Sequence, residues 1–175
     1  MPRLPQLQAS CEVAYISGMN LNRIYHMNIN VTDLDRSIGF YEKLGFKTLV
    51  RFELDEETTR ATCAAFGAAP NRCRAAFLRL GDDPAAPCLD LVEWLTEPTQ
   101  GQPYPEANHT GIYRIAFHVD DPDAILAELE ELGIPLMGPV GHGNPPGGGR
   151  STVFAFRDPD GTVLEILSGV EHMVR

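Results

Sequence analysis

The sequence predicts an α+β protein made of two βαβββ modules. Three observations support this prediction: one stretch of the chain repeats, each copy opens with the alternation of a strand, and each copy continues with helical spacing. Residues 24–46 align with residues 112–134 without a gap, and eight of the 23 positions are identical. A repeat of this kind indicates one structural unit used twice.

The first segment of each copy alternates between apolar and polar residues, which is typical of a strand with one buried face. The apolar positions are Met27, Ile29 and Val31 in the first copy and Ile115, Phe117 and Val119 in the second. The positions that alternate with them are His26, Asn28 and Asn30 in the first copy and Arg114, Ala116 and His118 in the second, all of them polar except the small Ala116.

A helix is expected after each of these strands. Asp33 and Asp121 stand where an N-cap residue is needed, and Pro122 occupies the favoured first helical position. Gly45 and Gly133 supply the C-terminal stop. Apolar residues recur at helical spacing and would cover the apolar strand face; they are Leu34, Ile38 and Tyr41, then Ile125, Leu129 and Leu132.

Three further strands are predicted in each module. They cover residues 46–54, 74–80 and 88–95 in the first module and 136–140, 151–157 and 162–168 in the second, with a short extra helix within 55–67. The glycine- and proline-rich segment 141–149 is expected to lie outside regular structure. The predicted organisation is an arm (1–21), a first module (22–96), a linker (97–110), a second module (111–170) and a tail (171–175).

Net charge, apolar runs and cysteine spacing argue against several classes of protein. A net charge of −10 and a pI near 4.8 argue against binding to nucleic acid. No apolar run approaches the length of a membrane span. The four cysteines show no CxxC spacing, so we expect reduced thiols in a cytoplasmic protein. Met19 directly precedes the first patterned segment, so a start there is an alternative explanation of the arm.

The last strands of the two modules also match. Leu89-Asp90-Leu91-Val92 aligns with Leu164-Glu165-Ile166-Leu167 at an offset of 75. If the apolar residues on either side of each carboxylate face the helices, alternation places Asp90 and Glu165 on the opposite face. His26 and Arg114 point to that face as well. Glu93 is the alternative candidate on this strand. If Glu93 pointed to the polar face, however, alternation would place Leu89 and Leu91 there as well. We therefore expect Asp90 on the polar face.

Four segments resemble the vicinal oxygen chelate superfamily, which includes glyoxalase I, extradiol dioxygenases and bleomycin-resistance proteins. They are YHMNINVTDLDRSIGFYEKLGF, CLDLVEW, YRIAFHVDD and FRDPDGTVLEIL, within about residues 22–168. The resemblance implies paired modules whose curled mixed sheets form a cup, and a homodimer. It also implies that ligands come from the first and last strand of each module, at His26, Asp90, Arg114 and Glu165.

The metal expected from this resemblance would be a divalent ion of Ni, Co, Mn, Fe or Zn, held by His26, Asp90 and Glu165. Arg114 occupies the fourth position, and a guanidinium offers only donors and cannot coordinate a metal. His118 lies four residues farther along the same strand face, about 13 Å away, so it does not replace the missing ligand. We therefore favour a cup that holds no metal or binds one weakly. Extradiol dioxygenase chemistry is the less favoured hypothesis.

The preferred hypothesis is an isomerase, epimerase or lyase that acts on a small oxygenated molecule through an enolate. Arg114 would hold an anionic group, Glu165 or Asp90 would move a proton, and His26 would orient or polarise the substrate. Asn28, His118 and Trp94 are further candidates for substrate contacts on the same face. The alternatives are a protein that only sequesters a small molecule or an antibiotic, and a buried polar network that only joins the two half-cups.

Overall fold

The computed structural model describes residues 20–174. The predicted arm therefore lies outside the described residues except for residues 20 and 21, and so does the alternative start at Met19. No helix within the described range combines the length and the apolar character needed to cross a membrane.

Each half of the chain forms one βαβββ module. The first contains β1 (His26–Asn30), α1 (Leu34–Lys43), β2 (Phe46–Leu54), α2 (Glu56–Ala65), β3 (Cys73–Leu80) and β4 (Cys88–Trp94). The second contains β5 (Arg114–His118), α3 (Pro122–Glu131), β6 (Gly141–Gly143), β7 (Ser151–Arg157) and β8 (Val163–Ser168), followed by a 3-10 helix (Glu171–Val174). The predicted α+β class and its two modules are confirmed.

The two sheets share one topology. Their strand orders are β1-β4-β3-β2 and β5-β8-β7-β6, so each module places its first and last strands side by side. These two pairs, β1 with β4 and β5 with β8, are parallel, and the other neighbours are antiparallel. The register sets Asn28 opposite Asp90 and Ala116 opposite Glu165. The polar residues of β1 and β5 thus lie beside the carboxylates of β4 and β8.

The helix termini follow the predicted capping residues. The Asp33 side chain accepts a hydrogen bond from the Arg36 amide at 3.0 Å, and Asp121 accepts one from the Ala124 amide at 3.0 Å. Gly45 and Gly133 have φ angles of 89° and 67°, which favour glycine after a helix. Local sequence therefore determines where α1 and α3 begin and end.

The predicted boundary between a strand at 136–140 and an irregular segment at 141–149 was wrong, although residues 144–149 do lie outside regular structure. Leu136 makes only an isolated bridge to Phe156, and the strand lies at Gly141–Gly143, inside the segment expected to be irregular. The glycines allow this strand to approach β7 closely. A Cβ atom at Gly141 would stand 3.0 Å from the Val153 side chain, and one at Gly143 would stand 3.2 Å from the Ser151 hydroxyl.

A single apolar core joins the two modules face to face. The Phe46 ring, at the start of β2, lies 5.8 Å from Phe117 of β5, and Phe40 of α1 lies 6.5 Å from Phe156 of β7. If the modules instead met edge to edge through β1 and β5, the strands β3, β4 and β1 would separate β2 from β5. Since neighbouring strands lie about 4.8 Å apart, β2 would then be about 19 Å from β5. The apolar faces of the sheets therefore pack toward each other, and their polar faces point away from the shared core.

The turn between β7 and β8 ties the second module to α1. The Tyr41 hydroxyl is fully buried and donates to Asp158 Oδ2 at 2.9 Å. Arg36 of the same helix pairs with Asp160 Oδ1 at 2.7 Å. Burial opposes the charge on Asp160, but hydrogen bonds from Thr32 and Arg36 outweigh it and lower the pKa of that carboxyl. The turn between β7 and β8 is thus also a junction between the modules.

Candidate functional site

His26 and Asp90 form the first polar pair. His26 Nε2 lies 3.8 Å from Asp90 Oδ2, a distance compatible with an ion pair but too long for a direct hydrogen bond. The imidazole is 38% exposed, whereas the carboxylate is 15% exposed. The pair forms because the parallel strands β1 and β4 are neighbours and both side chains point away from the core.

The Asp90 carboxyl is incompletely satisfied. Asn28 Nδ2 lies 3.2 Å from the Asp90 backbone oxygen and 3.4 Å from Oδ2. The other carboxyl oxygen, Oδ1, is buried without a hydrogen-bond partner among the described residues. Burial raises the pKa of Asp90 above its ordinary value of 3.8, and the nearby His26 and Asn28 oppose this shift only in part. Such a carboxyl is suited to accept a proton from a bound molecule.

Aromatic side chains surround the His26 imidazole. The ring centroid of Phe77 lies 5.7 Å away and that of Tyr25 lies 5.4 Å away. Phe52 extends this apolar wall, 5.7 Å from Phe77. Phe77 is the cross-strand partner of Asp90, so it belongs to the same region of the sheet. A ligand here would meet a polar pair beside an apolar wall.

Trp94 marks the other end of this polar face. Its indole Nε1 donates to Asn30 Oδ1 at 2.9 Å. Both residues line a shallow cavity of about 240 Å³, which is completed by the end of α2 and the segment after β4. Trp94 therefore lies on the Asp90 side of the sheet, as the alternation of β4 predicts.

Arg114 and Glu165 form the second polar pair. Arg114 Nε donates to Glu165 Oε2 at 2.8 Å, and the two side chains are 48% and 15% exposed. Within residues 20–174 the terminal Nη groups of Arg114 make no hydrogen bond. The guanidinium can therefore hold Glu165 and still present two nitrogens to an anionic ligand.

The two pairs do not meet within one chain. His26 and Asp90 belong to the first sheet, Arg114 and Glu165 belong to the second, and the polar faces point away from the common core. Across residues 20–174, no hydrogen bond or ion pair connects one pair with the other. The sequence leaves open whether one chain forms a whole cup, and the structure shows two exposed half-sites instead.

Glu93, the alternative candidate to Asp90, lies on the side of β4 that faces the helix. Its Oε2 accepts a hydrogen bond from the Leu34 amide at 3.2 Å and pairs with Arg74. These contacts hold the start of α1 against the first sheet. Glu93 thus has a structural role that Asp90 does not share.

The expected metal ligands do not fit a divalent ion within one chain. His26 and Asp90 could supply a nitrogen and an oxygen, and the lone Asp90 Oδ1 would accept a cation. Glu165, however, lies in the other module and already pairs with a guanidinium, which cannot coordinate a metal and would repel one. We therefore derive no chemical step through a metal at these positions.

A third polar group joins His118, already a candidate for substrate contacts, with two residues that the sequence does not point to, Asp120 and Glu171. His118 Nε2 contacts Glu171 Oε1, and ligand atoms of His118, Asp120 and Glu171 all lie within 4.8 Å of one another. A hydrogen bond from its own backbone amide and the contact with His118 lower the pKa of Glu171. Glu171 falls in the predicted tail, where no periodicity indicates a contact.

Comparison with known proteins agrees with the fold. A family model described as the Glyoxalase/Bleomycin resistance protein/Dioxygenase superfamily matches residues 23–166. No curated protein gives a significant match to this chain.

Solved structures show the same architecture. A glyoxalase family protein from Bacillus cereus is 23% identical, with a TM-score of 0.71 over 88% of this chain and 98% of that one. One from Enterococcus faecalis is 27% identical, with a TM-score of 0.59 over 85% and 99%. The trypanothione-dependent glyoxalase I of Leishmania major is 24% identical, with a TM-score of 0.60 over 87% and 91%.

Proposed function

Because the chain belongs to the glyoxalase/bleomycin resistance protein/dioxygenase superfamily, we propose that it catalyses proton transfer next to a carbonyl group of a small oxygenated molecule. The reaction class would be that of an isomerase, an epimerase or a lyase. The observation that carries this proposal is Asp90, a carboxyl beside His26 with one buried oxygen that has no partner among the described residues.

Asp90 is the proposed general base. The side chain is 15% exposed and Oδ1 is buried, so Oδ2 is the oxygen that can take a proton from the substrate carbon, and burial of the carboxyl favours the protonated form that results. Removing that proton leaves negative charge on the carbonyl oxygen. The His26 imidazole, 3.8 Å from Asp90, is positioned to donate a hydrogen bond to this oxygen.

Arg114 is the proposed anchor for an anionic group of the substrate. Its Nε holds Glu165, while the Nη groups, on a side chain that is 48% exposed, make no hydrogen bond among the described residues. A carboxylate, enolate or phosphate fits such a fork through two parallel hydrogen bonds. Glu165, held in place by Arg114, would relay a proton from solvent to a different atom of the substrate, and Asp90 would lose its proton to solvent, so both carboxylates return to their starting state.

A second copy of the chain would complete the site. Ile24 and Ile112 occupy the same position in the two repeats, two residues before β1 and β5, and are 67% and 83% exposed. Large apolar residues at the edge strands of both sheets favour burial against a partner. We infer a homodimer that brings His26 and Asp90 of one chain to Arg114 and Glu165 of the other.

A location in a reducing compartment such as the cytoplasm also belongs to this proposal. Cys63, Cys73 and Cys88 are free thiols, and two of them are buried. Free thiols of this kind persist where disulfides do not form.

The alternative function is sequestration of a small molecule without chemistry. The observation that favours it is the aromatic wall of Tyr25, Phe77 and Phe52 beside the polar pair. A flat, partly apolar ligand would stack there and need no proton transfer. The two functions differ in whether the ligand is chemically changed.

Hydrogen exchange into deuterium oxide separates the two functions. The full chain would be incubated with 2-oxo acids, acyl thioesters and thiohemiacetals of 2-oxoaldehydes, and loss of the proton next to the carbonyl would be followed by proton NMR. We expect exchange with at least one class, and we expect Asp90→Asn to slow it by about a hundredfold or more. Asp83→Asn, at an exposed position, is the matched control. Tight binding of these compounds without exchange would instead establish sequestration.

A further inference from the structure

The cluster at the end of β5 combines three kinds of ligand from three segments. His118 ends β5, Asp120 precedes the N-cap of α3, and Glu171 begins the 3-10 helix. We propose that His118, Asp120 and Glu171 form a divalent metal site of the zinc, cobalt or manganese class, separate from the proposed catalytic pairs. An imidazole nitrogen with two carboxylates is a donor set that these ions accept.

The distances fit a single ion. Each residue offers a ligand atom, and all three atoms lie within 4.8 Å of one another. Two atoms that bind the same ion at about 2.1 Å are at most about 4.2 Å apart, so only small side-chain rotations are needed. His118 and Asp120 are exposed and Glu171 is partly exposed, so water can complete the coordination shell.

The fold itself does not require metal-ligating side chains at these positions, because the first module carries different residues there. The positions in the first module that correspond to His118 and Asp120 are Asn30 and Thr32. Asn30 accepts a hydrogen bond from Trp94, and Thr32 donates one to Asp160. The same two backbone positions thus serve packing in one module and carry metal-binding side chains in the other.

The local charge favours a divalent cation. Within residues 20–174, neither Asp120 nor Glu171 pairs with a lysine or an arginine. Their only basic neighbour in the cluster is His118, which binds a metal as a neutral imidazole. Two carboxylates around one imidazole therefore leave a charge that a divalent ion balances.

An ion bound by these three residues would hold two segments of the second module together. It would fasten the 3-10 helix to the end of β5, and His172 of the same helix already contacts the Pro146 carbonyl at 2.8 Å. β5 also carries Arg114, about 13 Å along the strand from His118 at 3.3 Å per residue. The ion would thus stabilise the second half-site without touching a reacting atom.

Cobalt titration tests the site directly. Untagged full-length protein would be stripped with EDTA and titrated with cobalt chloride, with binding followed by visible absorption and by calorimetry. We expect one ion per chain, an affinity at least about tenfold weaker in His118→Gln and Glu171→Gln, and a cobalt-dependent rise in Tm of the wild type that is smaller in these two variants. His26→Gln and the linker variant His109→Gln should bind as the wild type does.

Three outcomes would overturn the proposal. Equal binding by the wild type, His118→Gln and Glu171→Gln, or no binding at all, would show that the cluster is not a metal site. Loss of binding in His26→Gln alone would place the ion at the first polar pair instead. None of these results depends on the proposed proton transfer, since no substrate is present.

Discussion

At the scale of single residues, Asp90 carries the proposed chemistry because its surroundings are unfavourable for its charge. The carboxyl is largely buried, one oxygen lacks a partner among the described residues, and the imidazole of His26 is 3.8 Å away. A fully bonded carboxylate would be more stable and a weaker base. A group of this kind commonly exchanges stability for function.

Replacing Asp90 with asparagine should therefore stabilise the protein at pH 7 while it slows proton transfer. Burial raises the pKa of Asp90, so the native state binds this proton more tightly than the unfolded chain. The stability from this group is present below the unfolded pKa and is lost as the pH rises through the higher folded pKa. We expect Asp90→Asn to raise Tm at pH 7 and to have a smaller effect near pH 3.

Thermal unfolding of wild type and variant at both pH values measures this difference. The matched control is Asp83→Asn, since Asp83 is exposed. A variant that is less stable than the wild type at pH 7 would show that the Asp90 charge is well accommodated and is not poised for catalysis.

The sequence locates the polar pairs but not their surroundings. Alternation in β1 and β5, together with the repeat of the end strands, places His26, Asp90, Arg114 and Glu165 on polar faces, as observed. Neither pattern shows that Phe77 would lie beside His26, because that contact depends on the pairing of β3 with β4. Glu171 follows the last strand without any periodicity, so its contact with His118 could not be predicted either.

At the scale of elements, the junction between α1 and the β7–β8 turn holds the modules together. Tyr41 is fully buried, and its hydroxyl reaches Asp158. The other Asp158 oxygen accepts the backbone amides of Asp160 and Thr162 at 3.0 and 2.7 Å. One carboxyl thus shapes its own turn and anchors a helix of the other module.

Tyr41→Phe should weaken this junction. Removing the hydroxyl leaves a buried acceptor on Asp158 without its donor, which we expect to lower the free energy of unfolding by about 1–3 kcal/mol. Urea denaturation measures the change. Tyr25→Phe, at a tyrosine that is 63% exposed, should leave stability unaltered. Equal stability of Tyr41→Phe and wild type would mean that the hydrogen bond contributes little to the association of the modules.

The position of β6 shows where local patterns mislead. Glycines usually interrupt strands, so the segment 141–149 reads as irregular. In the structure, Gly141 and Gly143 enter the sheet where Val153 and Ser151 leave little room for a side chain. The caps at Asp33 and Asp121 depend only on neighbouring residues, and these the sequence does predict.

At the scale of the whole molecule, the way the modules pack decides how many complete sites one chain has. The strand periodicity fits modules joined edge to edge as well as modules packed face to face, so the sequence cannot choose between them. The contacts of Phe46 with Phe117 and of Phe40 with Phe156 establish the face-to-face arrangement. Each chain then presents two half-sites rather than one cup.

The protein is therefore expected to sediment as a dimer, at twice the 19.2 kDa of one chain. Ile112→Glu should shift it toward the monomer, because a charge would replace an apolar side chain that is 83% exposed in the single chain. Leu49→Glu, on the edge strand β2, is the matched control and should remain dimeric. A wild-type monomer at micromolar concentration would contradict the inferred assembly.

Complementation between two inactive variants tests the shared site most directly. Asp90→Asn and Glu165→Gln would be unfolded together, refolded as a mixture, and assayed for hydrogen exchange on the compound that the wild type processes. In a heterodimer, one of the two sites combines an intact Asp90 with an intact Glu165 from the other chain. Random pairing in a twofold dimer should restore about a quarter of the wild-type rate, whereas a mixture no more active than either variant alone would show that each chain forms its site by itself.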